Sequence, residues 1–292
     1  MELQSRTKEL SDKGLGLATI SYDPSEIIAA FSKQHGITFP MLSDVGSETI
    51  KRYGILNTVA MELAGPNATD PALAEDIKMY VSVVAPNARM AGIAFPGTFI
   101  LDRAGRVKSR FFEDFYIERN TVSGILMRAG AGTPVKGTKI STAHLEVTAY
   151  PSDSALAPGN RVTLTLDIVP HRGIHVYAPG ASGYRVITPT LEAHPQVRAM
   201  PIRYPASQTY FFEPLKERVP VYQKPFTLLQ EMVLEGTPQA QAALRGKDSL
   251  TLSGSLEYQA CDEKVCFNPE SVPLSWAFTL RPLVRGRPGR QP

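Results

Sequence analysis

The chain has 292 residues, a length that corresponds to about two domains of roughly 100 to 200 residues each. Hydrophobic residues make up 43% and charged residues 20%, which is typical of a globular protein. The formal net charge is +3, from 31 basic and 28 acidic residues, and this balance excludes the strongly basic surface of a nucleic-acid-binding protein. No window contains the roughly 18 consecutive apolar residues of a transmembrane helix, so we expect no membrane insertion.

The first 130 residues alternate between predicted strands and helices. Short apolar runs predict strands, and capped amphipathic runs predict helices. In chain order these are a helix over 3–13, a strand over 17–21, a helix over 27–34, an extended piece over 40–44, a helix over 47–53, strands over 94–102 and 107–112, and a helix over 120–129. An insertion-like stretch, 57–89, contains a further predicted helix over 71–83. The alternation favours an α/β sheet.

Four segments of this region carry a resemblance to a known family, and they fall in family order. They are 17–23, 36–44, 53–55 and 96–107. Residues 1–130 resemble the peroxiredoxin-type (AhpC/TSA-type) redoxins, which implies a thioredoxin-like fold and antioxidant-class redox chemistry. Pro96 occupies the position at which related thioredoxin-like proteins carry a cis-proline beside the active site. The resemblance therefore implies a cis peptide bond and a site-lining role for Pro96.

The same region departs from the family in its cysteines. Redoxins carry a reactive cysteine at the start of the first long helix, where the helix dipole favours the thiolate. Residues 1–260 contain no cysteine, and the chain begins inside that helix. Either the domain is a catalytically empty scaffold, or the true start, with a peroxiredoxin's catalytic cysteine, lies upstream of Met1. We favour the second because loss of the opening strand would expose a sheet edge, and we expect no peroxidase activity from the chain as given.

Beyond residue 130 the sequence pattern changes. Residues 131–141 are small, polar and non-periodic, which predicts a linker. The next region, 142–284, contains short alternating or apolar runs at 144–150, 161–169, 174–177, 225–229, 232–234, 250–258 and 272–280. Short strands at this spacing predict an antiparallel all-β sandwich. The basic tail, 285–292, is predicted to be disordered.

Cys261 and Cys266 are the only cysteines of the chain, and they lie between the two strands predicted over 250–258 and 272–280. A hairpin with one cysteine at each edge of a short connection can bring the Cβ atoms to the separation of about 3.8 Å that a disulfide needs. So small a loop stabilises the fold by only about 2 kcal/mol. An exchangeable redox couple and an ordinary structural disulfide, or two idle thiols, are all open interpretations. A zinc site is not favoured, because it needs about four clustered ligands, and no cofactor is predicted.

The second region carries a resemblance of its own. Its segments are 173–177, 210–212, 219–222, 258–261 and 266–274. Residues 142–283 resemble the N-terminal domain of the thiol:disulfide interchange protein DsbD, which is immunoglobulin-like and holds a redox-active cysteine pair. The complete fold prediction is an α/β thioredoxin-like domain followed by an all-β immunoglobulin-like sandwich.

The DsbD resemblance implies a function for the cysteine pair. In that family the pair shuttles between dithiol and disulfide and exchanges electrons with thioredoxin-like redox proteins. Carried over by position, Cys266 is the partner-linked cysteine and Cys261 the resolving one, with the reverse assignment open. We expect a thiol-disulfide oxidoreductase that relays electrons to the redoxin domain. The competing hypothesis is a non-enzymatic interaction module with a structural disulfide.

The same resemblance implies residues that line the cysteine site. His175 and Tyr177 are two apart on one strand and share a face, although a half-buried strand face explains the pattern as well. Phe211 and Phe212 fall where the family has an aromatic cap that shields the disulfide, with plain core packing as the alternative. Tyr258 precedes the cysteine segment and completes the predicted lining residues.

The compartment follows from the resemblance and conflicts with the N-terminus. DsbD domains imply an oxidising periplasm, yet the first ten residues are charged and contain no signal-peptide core. A start upstream of Met1 would explain both this conflict and the missing redoxin cysteine. We therefore expect a periplasmic or cell-envelope protein in that case, and a cytoplasmic one if the chain is complete.

Overall fold

A computed structural model of the chain describes residues 2–60, 78, 92–112, 118–128, 130–132, 135–213 and 216–282. The chain divides into two compact units, Met1–Val122 and Ser123–Pro292. The helix predicted over 71–83 lies outside the described residues except for Lys78, as do most of the insertion 57–89 and the tail 285–292. Across the described ranges, no helix is long and apolar enough to cross a membrane.

The first unit contains the predicted alternation of strands and helices. Its elements are α1 Glu2–Ser5, α2 Thr7–Asp12, β1 Thr19–Ser21, α3 Ser25–His35, β2 Met41–Ser43, α4 Glu48–Arg52, β3 Gly97–Leu101, β4 Val107–Phe112 and β5 Arg119–Asn120. Strands β1 and β2 are parallel neighbours, and α3 supplies the crossover connection that a parallel pair needs. Strands β3 and β4 form an antiparallel hairpin. The turn holds its shape because the Asp102 carboxylate accepts the amides of Ala104 and Arg106 at 2.9 and 3.0 Å.

The peptide bond that precedes Pro96 is trans, so the prediction of a cis-proline at this position is wrong. The Phe95 amide donates to the Ile55 carbonyl at 2.7 Å, and the chain continues directly from Pro96 into β3. Proline favours an extended conformation at the residue that precedes it. The trans form is also lower in free energy by about 0.5 to 1 kcal/mol unless tertiary contacts select the other isomer.

The second unit is built almost entirely of strands. Helix α5, Val122–Arg128, spans the division between the units. The elements that follow are β6 Thr138–Ser141, β7 Leu145–Pro151, β8 Ala155–Leu156, β9 Asn160–Pro170, β10 His175–Tyr177, β11 Thr188–Leu191, β12 Val197–Arg203, β13 Gln208–Phe212, β14 Glu217–Tyr222, β15 Phe226–Leu234, α6 Pro238–Leu244, β16 Ser249–Tyr258, β17 Ala260–Cys261 and β18 Glu270–Leu280. Strand β6 lies inside the range predicted as a linker, and it pairs antiparallel with β7.

Three groups of neighbouring strands form the sheets of the second unit. Their orders are β12-β15-β9-β7-β6, β11-β16-β18-β8 and β13-β14-β10-β17. Buried residues alternate with exposed ones along β16 and β18, because successive side chains of a strand point to opposite faces. The buried faces meet in one hydrophobic cluster that includes Leu145, Leu166, Leu252 and Trp276. The prediction of an all-β sandwich is confirmed, and two of its strands flank the cysteines as expected.

Candidate functional site

The two cysteines form a disulfide at the tip of the β16–β18 hairpin, with their Cα atoms 4.1 Å apart. The last cross-strand pair of the hairpin is Tyr258 with Glu270, and residues 259–269 extend beyond it. The Asp262 carboxylate shapes the turn, since it accepts the amides of Lys264 and Val265, each at 2.7 Å. The Val265 and Lys264 amides, in that order, lower the pKa of Asp262, as expected for a carboxylate that receives two backbone donors.

The two cysteines differ in their access to solvent. Cys261 is 0% exposed, because β17 is paired with β10 and its side chain packs into a small apolar cluster. Cys266 lies on the other arm of the turn and is exposed. Cys266 is therefore the cysteine that another protein can reach from solvent, whereas Cys261 is covered.

Strand β10 places a tyrosine hydroxyl against both sulfurs. Tyr177 Oη lies 3.0 Å from Cys261 Sγ and 3.4 Å from Cys266 Sγ. A disulfide sulfur has no proton, so the tyrosine is the donor in both contacts. Burial is the main cause that raises the pKa of Tyr177. The hydroxyl consequently stays protonated at neutral pH and remains a donor if either sulfur becomes a thiolate.

His175 is the cross-strand partner of Cys261 and shares a face of β10 with Tyr177. It is 2% exposed, and its ring lies 4.5 Å from the ring of Tyr210 and 5.6 Å from that of Tyr177. Burial lowers the pKa of His175, and the Asp262 carboxylate opposes this effect. The imidazole is therefore neutral at neutral pH, so His175 places no positive charge beside the disulfide.

A second tyrosine supports the first from a loop between β10 and β11. The Tyr184 ring stacks on Tyr177, with centroids 4.0 Å apart and planes inclined by 14°. Its hydroxyl donates a hydrogen bond to the carboxylate of Glu217 at the start of β14, and this bond raises the pKa of Tyr184. Val219 and Val221, on the same strand, pack beside Cys261. We call the set His175, Tyr177, Tyr184, Tyr210, Val219, Val221 and Cys261 the outer cluster.

Of the residues predicted to line the site, the structure brings His175 and Tyr177 together with the cysteines. Phe211 is 44% exposed, and its ring centroid lies 5.6 Å from Cζ of Arg218. Neighbouring residues of a strand face opposite ways, so Phe211 lies on the other face of β13 from Tyr210, and Phe212 lies on Tyr210's face. Tyr258 belongs to the main core of the sandwich. Pro96 lies in the first unit.

Sequence reasoning did not assign Tyr184, Tyr210 or Glu217 to the site. Tyr210 belongs to a segment that carries the family resemblance, and its alternation with Phe212 was a usable signal. Tyr184 and Glu217 gave no local signal, because one lies in an irregular loop and the other begins a strand distant in sequence. Only the pairing of β14 with β10 places them near the disulfide.

A shallow groove borders the outer cluster. Seven residues line it: Gly183, Tyr184, Arg185, Val186, Thr188, Gln259 and Pro269. The Gln259 side chain connects the walls of the groove. Its Nε2 donates to the Phe267 carbonyl at 3.1 Å, and its Oε1 accepts a hydrogen bond from the backbone amide of Arg185 at 3.1 Å. The groove thus runs from the loop that holds Tyr184 to the arm that follows Cys266.

Comparison with known families matches each half of the chain separately. Residues 1–110 match the AhpC/TSA family, and residues 146–273 match the family described as thiol:disulfide interchange protein DsbD, N-terminal. Both resemblances predicted from the sequence are confirmed, and with them the thioredoxin-like and immunoglobulin-like folds. No curated protein matches the chain.

Three solved structures are similar to part of the chain. The N-terminal periplasmic domain of ScsB from Proteus mirabilis is 14% identical with a TM-score of 0.31, covering 49% of this chain and 51% of that one. The reduced DsbD N-terminal domain from Neisseria meningitidis is 15% identical with a TM-score of 0.25, covering 40% and 80%. The GAE domain of GGA2p from Saccharomyces cerevisiae is 6% identical with a TM-score of 0.27, covering 48% and 96%. This chain therefore spans about half the length of the ScsB structure. The two family matches, together with the cysteine pair, support a thiol-disulfide redox function.

Proposed function

We propose that this protein is a thiol-disulfide oxidoreductase that exchanges electrons with thioredoxin-like partners through the Cys261–Cys266 couple. One observation carries the proposal: an exposed cysteine, Cys266, is bonded to a fully buried one, Cys261, and a buried tyrosine hydroxyl lies within 3.4 Å of both sulfurs. A structural staple needs neither the exposed cysteine nor the hydroxyl. The exposed position of Cys266 allows a partner to attack its sulfur. The tyrosine hydroxyl stabilises the Cys261 sulfur as it departs.

The exchange begins at Cys266. A thiolate of a reduced partner attacks Cys266 Sγ, the Cys261–Cys266 bond breaks, and Cys261 leaves as a thiolate. The partner's second thiolate then attacks the partner's first sulfur, which is bonded to Cys266 in the mixed disulfide, and Cys266 is released. Two electrons have passed to the cysteine couple, its two thiolates take up protons from solvent, and the partner is left as a disulfide. The reverse sequence delivers them to an oxidised acceptor.

Tyr177 assists the departure of Cys261. A thiolate at this buried position has lost its hydration, which raises the free energy of the charged sulfur. The Tyr177 hydroxyl, 3.0 Å from Cys261 Sγ, donates a hydrogen bond that strengthens as negative charge develops on the sulfur. Tyr184 holds the Tyr177 ring by stacking, and Glu217 holds Tyr184 in turn. His175 and Tyr210 fill the remaining side of the outer cluster.

The aromatic cap remains part of the proposal. Phe211 and Phe212 lie on the β13–β14 hairpin, which also contributes Tyr210 to the outer cluster. Movement of this hairpin would uncover the cluster for a partner. Tyr258 and Pro96 keep their proposed site-lining roles, Tyr258 at the base of the cysteine hairpin and Pro96 in the AhpC/TSA-like region.

The proposal extends to organisation and compartment. We assign the redoxin domain to 1–130, a linker to 131–141 and the DsbD-like domain to 142–284. The electron partners are thioredoxin-like proteins, and the proposal includes a relay of electrons from the Cys261–Cys266 couple to the redoxin domain. A periplasmic location fits the DsbD-like region, because the ScsB domain is described as periplasmic.

The reduction potential separates this proposal from a structural disulfide. We expect a potential between about −180 and −270 mV, the range of thioredoxin-like partners, in equilibrium with a glutathione or dithiothreitol buffer. A potential below about −300 mV is that of a structural bridge, and it would favour the interaction-module hypothesis instead.

Single-cysteine variants test which sulfur is attacked. Cys261→Ser leaves the exposed Cys266 thiol, and Cys266→Ser leaves the buried Cys261 thiol. We expect the first variant to form a mixed disulfide with an activated thioredoxin and the second to react at least about tenfold more slowly, because access limits thiol exchange. Equal rates, or a faster reaction of Cys261, would reverse the assignment.

A further inference from the structure

A polar cluster closes the base of the cysteine hairpin. Tyr258 Oη donates to Glu270 Oε2 at 2.8 Å, and it lies 2.9 Å from Thr142 Oγ1. Tyr258 is 0% exposed. Because Tyr258 and Glu270 are the last paired residues of β16 and β18, this bond joins the two arms where the sheet ends. The eleven residues beyond it hold both cysteines.

His144 adds a contact from outside the hairpin. Its Nδ1 lies 2.7 Å from Glu270 Oε1, a distance that makes an ion pair when the imidazole is protonated. The His144 ring also lies 4.3 Å from the ring of Phe267, the residue that follows Cys266. Thr142 fixes this loop, since its hydroxyl oxygen accepts the amides of His144 and Leu145. We call Thr142, His144, Tyr258 and Glu270 the base cluster.

The base cluster acts on both arms of the hairpin. Tyr258 precedes Cys261 by three residues, and Phe267 directly follows Cys266. Between the cluster and the cysteines, the Phe267 amide donates to the Ala260 carbonyl at 2.9 Å, and the Gln259 side chain donates to the Phe267 carbonyl at 3.1 Å. A change at Glu270 can therefore alter the positions of both sulfurs through these consecutive hydrogen bonds.

We propose that Glu270, Tyr258 and His144 are positioning residues that set the redox equilibrium of Cys261 and Cys266. The proposal rests on the proposed function, in that the couple must be exchangeable. When the disulfide is reduced, the two arms are free to separate, and the ease of reoxidation depends on the effective concentration of one thiol at the other. Bonds at the base keep this concentration high and favour the disulfide. Loss of those bonds favours the dithiol.

The chain contains a matched control for this proposal. On β7, β9 and β15, Tyr150 Oη donates to Asp167 Oδ2 at 2.8 Å, and Thr227 Oγ1 donates to Asp167 Oδ1 at 2.6 Å. This is again a tyrosine, a carboxylate and a threonine, placed on strands that do not hold the cysteines. Substitution in this network removes the same kind of bond without touching the hairpin.

The experiment measures the thiol-disulfide equilibrium of the purified chain. In glutathione buffer the Cys261–Cys266 bond breaks and two glutathione molecules become joined by a disulfide, which supplies the two electrons and two protons. We expect Glu270→Gln and Tyr258→Phe to shift the equilibrium constant toward the dithiol by about two- to tenfold, the effect of one hydrogen bond. Asp167→Asn and Tyr150→Phe should leave it within about twofold.

Two outcomes overturn the inference: an unchanged constant in Glu270→Gln and Tyr258→Phe, or an equal shift in the control pair. His144→Gln, at a position whose side chain is 12% exposed, gives a further arm if Glu270→Gln does not fold, and it should also shift the constant toward the dithiol. The equilibrium constant of the wild-type disulfide with glutathione tests the proposed function separately. If the wild-type disulfide resists glutathione, the same comparison in dithiothreitol buffer still measures the shift caused by the base cluster.

Discussion

The two faces of β10 show how one three-residue strand supports both packing and chemistry. On one face, Val176 is 0% exposed and pairs with Tyr222 and Ala260 in the main core of the sandwich. On the other face, His175 and Tyr177 lie against Cys261. Both faces are dry, but only one carries polar groups. The difference shows that burial alone does not mark the site, whereas a buried hydroxyl beside a disulfide does.

The largest loss of stability is expected when a charge is placed on the core face of β10. Val176→Asp should destabilise the second unit by more than about 4 kcal/mol and abolish its cooperative unfolding, because the carboxylate has no partner in the core. The matched control is Val169→Asp on β9, where the side chain is 41% exposed, and this variant should unfold within about 1 kcal/mol of wild type. Urea unfolding followed by circular dichroism measures both. Similar losses in the two variants would show that Val176 is not a core residue.

The chemical face should respond in rate rather than in stability. Tyr177→Phe keeps the ring but removes the donor to the leaving sulfur, so we expect disulfide exchange with a reduced thioredoxin to slow by about ten- to a hundredfold. Tyr184→Phe removes the hydroxyl that bonds Glu217 but keeps the ring that stacks on Tyr177, so it should slow exchange less. Stopped-flow fluorescence gives both rates. Exchange at the wild-type rate in Tyr177→Phe would remove the tyrosine from the mechanism.

The neutral histidine on the chemical face predicts a pH dependence of stability. Burial lowers the pKa of His175, so the unfolded chain takes up a proton near pH 6.5 that the folded chain resists. Stability is therefore full above pH 6.5 and is lost as the pH falls, by at most about 1.4 kcal/mol per pH unit. The lowered pKa of Asp262 acts in a separate window, below pH 3.8.

His175→Gln should flatten this dependence, which urea titrations at pH 7.5, 6.5 and 5.5 can measure with the disulfide intact. His171→Gln changes a histidine outside the outer cluster and serves as the control, so it should retain the wild-type slope. If His175→Gln loses stability with falling pH as steeply as wild type, protonation of His175 does not cause the loss.

The smallest effect is expected at the aromatic cap. Phe211→Ala should change the free energy of unfolding by no more than about 0.5 kcal/mol, because the ring is 44% exposed. If the β13–β14 hairpin shields the disulfide, reduction by dithiothreitol should become a few times faster. Arg218→Ala removes the cation beside the ring and leaves the ring in place. An unchanged reduction rate in Phe211→Ala would limit the cap to Phe212 and Tyr210.

Much of the second unit was predictable because its signals are local. The alternation along β16 and β18 follows from strands with one buried and one exposed face, and a cysteine at each arm of their connection made a disulfide geometrically possible, which the structure contains. The strand at Thr138–Ser141 escaped prediction because it has only four residues and directly follows the small, polar run that predicts a linker. It is ordered by backbone bonds to β7, which composition does not report. At Pro96 the prediction was wrong. The family resemblance implied a cis peptide bond before this residue, and the bond is trans.

Residues close together in the chain were enough to predict the two fold classes, the cysteine hairpin and the shared face of His175 and Tyr177. The tertiary structure decided that Cys266 is exposed and Cys261 buried, and that Tyr184, Glu217 and the base cluster reach the hairpin. These contacts join residues far apart in sequence. They depend on strand order and register, which arise from the packing of whole sheets and leave no periodic trace in any one segment.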